Sequence, residues 1–242
     1  MEQLPLSFVP RIPYTGGNFI LHQGVKTCFE LLSQELTQNY FSIHYLVGKA
    51  CSGKSHLSIA LAEGYRAQGG CVHIVPGEEM VLWTKGRLAR STFGKGEAVL
   101  VDDAQNFFAE FSIGQSGLFV NLVESMRNKA GTLIFLSDRP MNLFSIDEHI
   151  VSRLMAGQQL GLGEPSADEL SELIASIGHQ YGMVLSPRCV EFLAKRIPRS
   201  LSGMVQFIQE LEAQSLKDSG SIGMKRIGEM LEQQGVDIPA VE

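Results

Sequence analysis

Gly48-Lys49-Ala50-Cys51-Ser52-Gly53-Lys54-Ser55 fills every fixed position of the pattern G-x-x-x-x-G-K-[ST]. Its neighbours supply the context that the pattern needs. Ile43 to Val47 is a short apolar, β-branched and aromatic run that reads as a buried strand ending at Gly48, and Leu57 to Tyr65 carries apolar residues at helical spacing. Strand, glycine-rich turn and helix in that order make a cradle for phosphate. The glycines let backbone N–H groups turn inward, and the helix start adds the positive end of its dipole. Lys54 is placed to reach the terminal phosphates and Ser55 to ligate Mg²⁺. Gly48, Lys49, Ala50, Cys51, Ser52, Gly53, Lys54 and Ser55 are therefore the candidate nucleotide-binding residues.

Outward from the loop, residues 22–38 carry a helical stripe of Val25, Cys28, Phe29, Leu32 and Leu36. Cys71 to Val75 and Glu97 to Val101 read as a second and a third strand, residues 116–129 as a helix with Leu118, Leu122 and Met126 inward, and Thr132 to Leu136 as a fourth strand. Strands alternating with helices predict a mostly parallel sheet covered on both faces. After Gly163 the pattern is helical. Ser166 and Glu169 form a capping box opening a helix over 167–181, Ser186-Pro187 opens a second, Leu201 to Leu216 a third, and a weaker segment follows Gly223. The expectation is an extended tail over 1–12, an α/β base over 13–163 and a small all-helical lid over 164–242.

The third strand, Ala98-Val99-Leu100-Val101, ends on Asp102 and Asp103. An acid delivered at a strand end opposite a phosphate loop holds the metal, so Asp102 joins Ser55 as a candidate Mg²⁺ ligand, acting through water. Asp103 stands where a hydrolytic base belongs, although many phosphate-loop ATPases carry the longer Glu there.

Hydrophobic residues make up 44% and charged residues 19%, an ordinary globular balance. The net charge of −6 argues against holding nucleic acid by broad phosphate neutralisation, so any DNA contact should be indirect or weak. Arg87, Arg90 and Lys95 form a small basic cluster that either touches DNA or is simply solvated, while Trp83, Met80 and Met126 read as packing. The four cysteines, Cys28, Cys51, Cys71 and Cys189, show no CxxC pair and no ligand-spaced histidines, so their spacing suggests neither zinc nor a disulfide framework. Neither a basic-plus-apolar leader nor a span-length apolar run is present, which predicts a cytoplasmic chain with no membrane partner.

Gly-Lys-Ser-His-Leu at 53–57, Val-Asp-Asp-Ala-Gln at 101–105, Leu-Ser-Asp-Arg-Pro at 136–140, Val-Ser-Arg-Leu at 151–154 and Pro-Arg-Ser-Leu-Ser-Gly at 198–203 together resemble the AAA+ replication initiator family DnaA, from about Tyr14 to Leu216. The resemblance implies an AAA+ fold and an adenine nucleotide, ADP or ATP, as cofactor with Mg²⁺. It extends the phosphate loop to His56 and places Phe19 and Ile20 beside the base, although core packing explains those two nearly as well. It also implies Asp138 as the first sensor, Arg199 as the second, and Arg153 as an arginine finger acting on a neighbouring molecule's γ-phosphate. His149 stands where the family has a further arginine.

Departures from the family shape the functional expectation. The sequence stops after the lid with no helix-turn-helix domain, shows no long amino-terminal partner domain, and has only the stretch Pro76 to Gly96 where DnaA carries an extra helical element for single-stranded DNA. It is therefore expected to be a regulatory inactivator of DnaA rather than an initiator. Regulators built this way begin with a peptide that docks on the polymerase sliding clamp, the β subunit. Gln3-Leu4-Pro5-Leu6-Ser7-Phe8 is similar to that peptide, with Gln3, Leu4, Leu6 and Phe8 as its anchors. The implied activity is stimulation of ATP hydrolysis on DnaA, with weak hydrolysis of its own. The rival is an autonomous ATPase of helicase-loader type. A DNA-binding module is a third reading that the acidity disfavours, and self-association is left open.

Overall fold

Five parallel strands, β1 (Ser42–Val47), β2 (Val72–Pro76), β3 (Ala98–Asp102), β4 (Thr132–Ser137) and β5 (Gln158–Gly161), make one sheet in the order β2-β3-β4-β1-β5 in this computed structural model. The structure describes residues 13–111, 114–218 and 223–233. They divide into two compact units, one spanning Tyr14–Gly163 and the other running from Glu164 onward together with Pro13.

Around the sheet lie α1 (Gln23–Leu36), α2 (Lys54–Ala67), α3 (Gly77–Arg90), α4 (Ala104–Ala109), α5 (Gly117–Arg127) and α6 (Glu148–Met155). Strand alternation sorts the core into two layers. Val99, Val101, Leu133, Phe135, Ile43 and Tyr45 face the side holding Phe107, Phe108 and Phe119, whereas Leu100, Ile134, Leu136 and Leu46 face Leu32, Leu57 and Leu61. With both faces covered, the central strands are apolar almost throughout, and Ala98 to Val101 are fully buried. Truncating one of the buried phenylalanines would cost about 3–5 kcal/mol.

Three helices and one strand of this unit lie outside the sequence expectation. In α3, between the second and third strands, the buried residues are only Gly77, Met80 and Thr84, and Leu82 is exposed, so the apolar stripe is too thin to read. Its ends carry Glu78 and Glu79 at the start and Arg87 and Arg90 at the close, which complement the helix dipole. Helices α4 and α6 are short, at six and eight residues. Strand β5, Gln-Gln-Leu-Gly, is a mostly exposed edge strand with no apolar run, and its identity comes from parallel pairing of His44 to Val47 with Gln158 to Gly161.

The second unit contains α7 (Leu170–Gln180), α8 (Pro187–Ala194), α9 (Leu201–Asp218) and α10 (Met224–Gln233). The capping box is present, with the Ser166 N–H donating to Glu169 Oε2 at 2.8 Å, although it opens a 3₁₀ turn at Ala167–Glu169 before α7 begins. Ser186 caps α8 by accepting from the Cys189 N–H, and Pro187 occupies the first turn, where its missing N–H costs nothing. Leu173, Ile174, Leu193, Met204, Phe207, Ile208 and Leu211 are buried residues of this unit. Among the described residues no helix is long and apolar enough to cross a membrane.

Candidate functional site

The glycine-rich loop leaves β1 at Gly48, whose N–H donates to Ser137 O of β4 at 3.0 Å, so the loop is pinned to the ends of two central strands. Cys51 and Gly53 both adopt left-handed backbone, at φ 56° and 87°. Gly53 does so without Cβ strain and ends the loop as the residue before α2, where it supplies no side-chain cap. The first-turn amides of α2 are thereby directed at whatever anion the loop encloses. Ser52 Oγ is buried and has no hydrogen-bond partner, a polar atom left over inside the cradle.

Lys54 is 7% exposed, and its Nζ donates to Gly48 O at 2.7 Å and to Lys49 O at 2.9 Å. Burial lowers its pKa, and the carboxylates of Asp103, Asp102 and Asp138 oppose that shift. The tertiary structure thus gathers the three acids singled out in the sequence around this one ammonium. Asp102 is pushed upward chiefly by burial, offset in part by a hydrogen bond from Ser55 and raised further by Asp103. Ser55 and Asp102 put a hydroxyl and a carboxylate in contact, hard oxygen donors of the kind that Mg²⁺ takes.

Asp103 precedes α4 with left-handed backbone, φ 49°. Gln105, which sequence reasoning missed as a site residue, spans two of the candidate groups. Its Nε2 donates to Asp103 Oδ1 at 2.9 Å, and its Oε1 accepts from the Asp138 N–H at 3.2 Å. Gly77 was missed as well. A Cβ there would overlap the backbone carbonyl of Asp103, so only glycine lets the start of α3 approach the acidic turn this closely. Neither signal is visible without the fold, because Asp138 lies on a different element from Gln105, and the Asp103 carbonyl on a different element from Gly77.

Asp138 is engaged by its own neighbour. Arg139 Nε and Nη2 lie 2.7 and 3.1 Å from its two carboxylate oxygens, and this pairing holds the carboxyl below its ordinary value. Tyr45 donates to Arg139 O at 2.8 Å, and its phenol is pushed up to about 12, mainly by burial.

The segment Tyr14 to Ile20 lies against the helix that follows the loop. His56 Nε2 is 2.9 Å from both Thr15 O and Asn18 Oδ1, and its ring stacks on Tyr14 at 4.6 Å and meets Phe19 edge-on at 5.1 Å. The Gly16 N–H donates to Glu63 Oε2 at 2.6 Å. His56 therefore fastens this segment to α2. Phe19 also packs near Phe29 at 5.7 Å, and Ile20 is half-buried.

Arg153 lies on α6 and makes its contacts away from the Lys54 cluster. Its Nη1 donates to His149 O at 3.0 Å, its Nη2 is 3.8 Å from Glu124, and its Nε is buried with no hydrogen-bond partner. Arg199, in the helical unit, borders a cavity of about 390 Å³ with Leu170, Ser171, Glu191 and Lys195. Gln3, Leu4, Leu6 and Phe8 lie outside the described residues.

No family model matches the chain. Among curated proteins it is similar to the chromosomal replication initiator protein DnaA of Buchnera aphidicola subsp. Baizongia pistaciae (strain Bp), 24% identical over 215 residues, covering 84% of this chain and 47% of that protein. The chain thus spans about half the length of the curated relative it matches. Among solved structures it is similar to domain III of the Thermotoga maritima replication initiation protein DnaA, with a TM-score of 0.71, 17% identity, and coverage of 93% of this chain and 98% of that one. It is also similar to AMPPCP-bound DnaA from Aquifex aeolicus, with a TM-score of 0.66, 20% identity, and coverage of 91% and 70%. These likenesses, with the five-stranded parallel sheet, identify the fold as AAA+, an α/β phosphate-loop base with an all-helical unit, as the sequence led us to expect.

Proposed function

We propose that this chain binds an adenine nucleotide, ADP or ATP, and acts as a DnaA-related regulator of the Hda type, the regulatory inactivator of DnaA. The observation that carries the nucleotide reading is Lys54, a buried ammonium held on the loop carbonyls of Gly48 and Lys49 and faced by Asp102, Asp103 and Asp138. A lysine so held exchanges carbonyl oxygens for phosphate oxygens without leaving the cradle. The AMPPCP-bound state of the Aquifex relative supports the same reading. Ser55 and Asp102 would hold Mg²⁺, which supplies positive charge to the phosphates when bound. His56 positions the Tyr14 to Ile20 segment, leaving Phe19 and Ile20 to border the base, and Arg199 takes the role of the family's second sensor.

Asp103, oriented by Gln105 and shorter than glutamate, suits weak turnover in the chain itself. The stronger effect is exerted on a partner. Arg153 acts as a finger in trans on ATP bound to DnaA, where a planar cation stabilises the charge that develops on the transferring phosphoryl group. In this reading Gln3, Leu4, Leu6 and Phe8 dock the tail on the β sliding clamp, Leu6 and Phe8 filling an apolar groove. Both partners place the work in the cytoplasm. To test the function, purified protein is mixed with ATP-loaded DnaA, with and without DNA-loaded clamp, and phosphate release is followed. Acceleration that needs both clamp and this chain supports the proposal. Equal phosphate release in the absence of DnaA would instead identify an autonomous ATPase.

A further inference from the structure

Away from the phosphate loop, the sheet brings together three residues that the linear spacing separates. Cys71, the residue before edge strand β2, and His73, within it, stand two apart and so point to one face, the face covered by Trp83 and Phe93. Glu97 stands just before β3. Because Val72 pairs with Ala98 and the Ala98 N–H donates to Cys71 O, the register sets Glu97 beside Cys71 on that same face. A sulfur, an imidazole nitrogen and a carboxylate oxygen then lie within 4.8 Å of one another.

Each donor has the character of a ligand. Glu97 is 2% exposed, its Oε2 accepts from the Gly94 N–H at 2.6 Å, and its Oε1 is turned toward His73 Nε2 at 2.9 Å and Arg87 Nη2 at 3.2 Å. His73 Nε2 is 2.6 Å from Arg87 Nη2, and since a guanidinium can only donate, that nitrogen is an acceptor in this contact, as a metal ligand must be. Cys71 is exposed, and its Sγ is 3.7 Å from His73 Nε2. Tetrahedral zinc with ordinary bond lengths sets sulfur and nitrogen about 3.6 Å apart, and nitrogen and oxygen about 3.3 Å apart. The first spacing is already present, the second needs a few tenths of an ångström of opening, and the sulfur and the carboxylate oxygen, within 4.8 Å of each other, must close to about 3.6 Å, a movement open to the exposed Cys71 side chain.

The charges favour the same conclusion. With the thiol ionised the cluster carries two negative charges, and the guanidinium of Arg87 answers only one. Arg87 also has other anchors, donating to Thr92 O at 2.9 Å and lying 5.0 Å over the Trp83 ring, so it can give way to a dication. We propose that Cys71, His73 and Glu97 form a binding site for a borderline transition-metal dication, Zn²⁺ being the ion that this S, N, O donor set suits, with the fourth position open to water. A dication there clamps the start of edge strand β2 to β3.

The test uses Co²⁺ as a spectroscopic stand-in on the full-length protein. One equivalent should produce a near-ultraviolet thiolate-to-cobalt band that Zn²⁺ removes. Cys71→Ser, at an exposed position that leaves the core intact, should lose the band, and His73→Gln should weaken binding by about tenfold or more. Lys54→Ala should keep the band in full, which separates this site from the phosphate loop. Absence of a thiolate band at saturating Co²⁺, or a band that survives Cys71→Ser, would overturn the proposal.

Discussion

Replacing Lys54 with alanine tests the phosphate site at its centre. At 7% exposure the ammonium works in a medium far less polarisable than water, so one charge contact with a phosphate oxygen at about 4 Å is worth about 4 kcal/mol at an effective dielectric constant near 20. Part of that is offset, because the lysine must release a charged hydrogen bond to Gly48 O or Lys49 O, which is worth about 1.5 kcal/mol. The net loss is therefore roughly 2.5–4 kcal/mol, or about 10² to 10³ in affinity. Removing the ammonium also leaves Asp102, Asp103 and Asp138 without the cation they face, which further disfavours an incoming polyphosphate. Calorimetric titration with ADP and ATP, run beside circular dichroism to confirm that the variant is folded, reads the effect directly. A folded Lys54→Ala protein that binds both nucleotides within threefold of the parent affinity would refute this reasoning.

Arg153→Ala should leave the chain's own nucleotide affinity unchanged yet abolish its stimulation of DnaA-bound ATP hydrolysis, a loss of about 10³ or more for a finger supplied in trans; full stimulation by this variant in the phosphate-release assay would remove the finger. Deleting residues 1–8, or combining Gln3→Ala with Phe8→Ala, should abolish co-migration with the clamp on a sizing column while nucleotide binding persists, and retained co-migration would put the docking site elsewhere. His44 is buried on β1, and burial lowers its pKa from 6.5 against the opposing influence of the Glu35 carboxylate 3.7 Å away and of a side-chain hydrogen bond with Gln158. The unfolded chain then takes up the proton first, so the neutral ring's contribution is intact above pH 6.5 and is lost as pH falls below it, by up to about 1.4 kcal/mol per pH unit. His44→Leu should flatten this acid slope in thermal melts recorded between about pH 7 and 5, and an unchanged slope would exclude the role. Gly77→Ala forces a Cβ onto the Asp103 carbonyl and should cost about 1–3 kcal/mol of stability, seen as a lowered melting temperature; an unaltered melt would show that the approach is not tight.

Much of this architecture was legible because its determinants are local. The phosphate loop is a contiguous run whose glycine, lysine and serine positions are set by backbone geometry around one anion. Strands β1, β3 and β4 are apolar almost throughout because both of their faces are covered, and the caps at Ser166 and Ser186 are signalled by residues within three positions of each other. Asp102 and Asp103 could be picked out at the end of a readable strand, whereas Asp138 was marked by the family resemblance.

What the sequence left open depends on which strand lies beside which. Strand β5 becomes a strand only by pairing with β1, and α3 buries too little apolar surface to mark itself. Gln105 matters because α4 carries it between Asp103 and the end of β4, and Gly77 because the start of α3 meets the backbone of Asp103. Cys71, His73 and Glu97 converge through the β2–β3 register alone. Residues two apart share a strand face whatever the fold, and that much a sequence states. Which residue of another strand stands opposite them is decided by the packing of the whole sheet, a sum of contacts between distant segments that no local pattern contains.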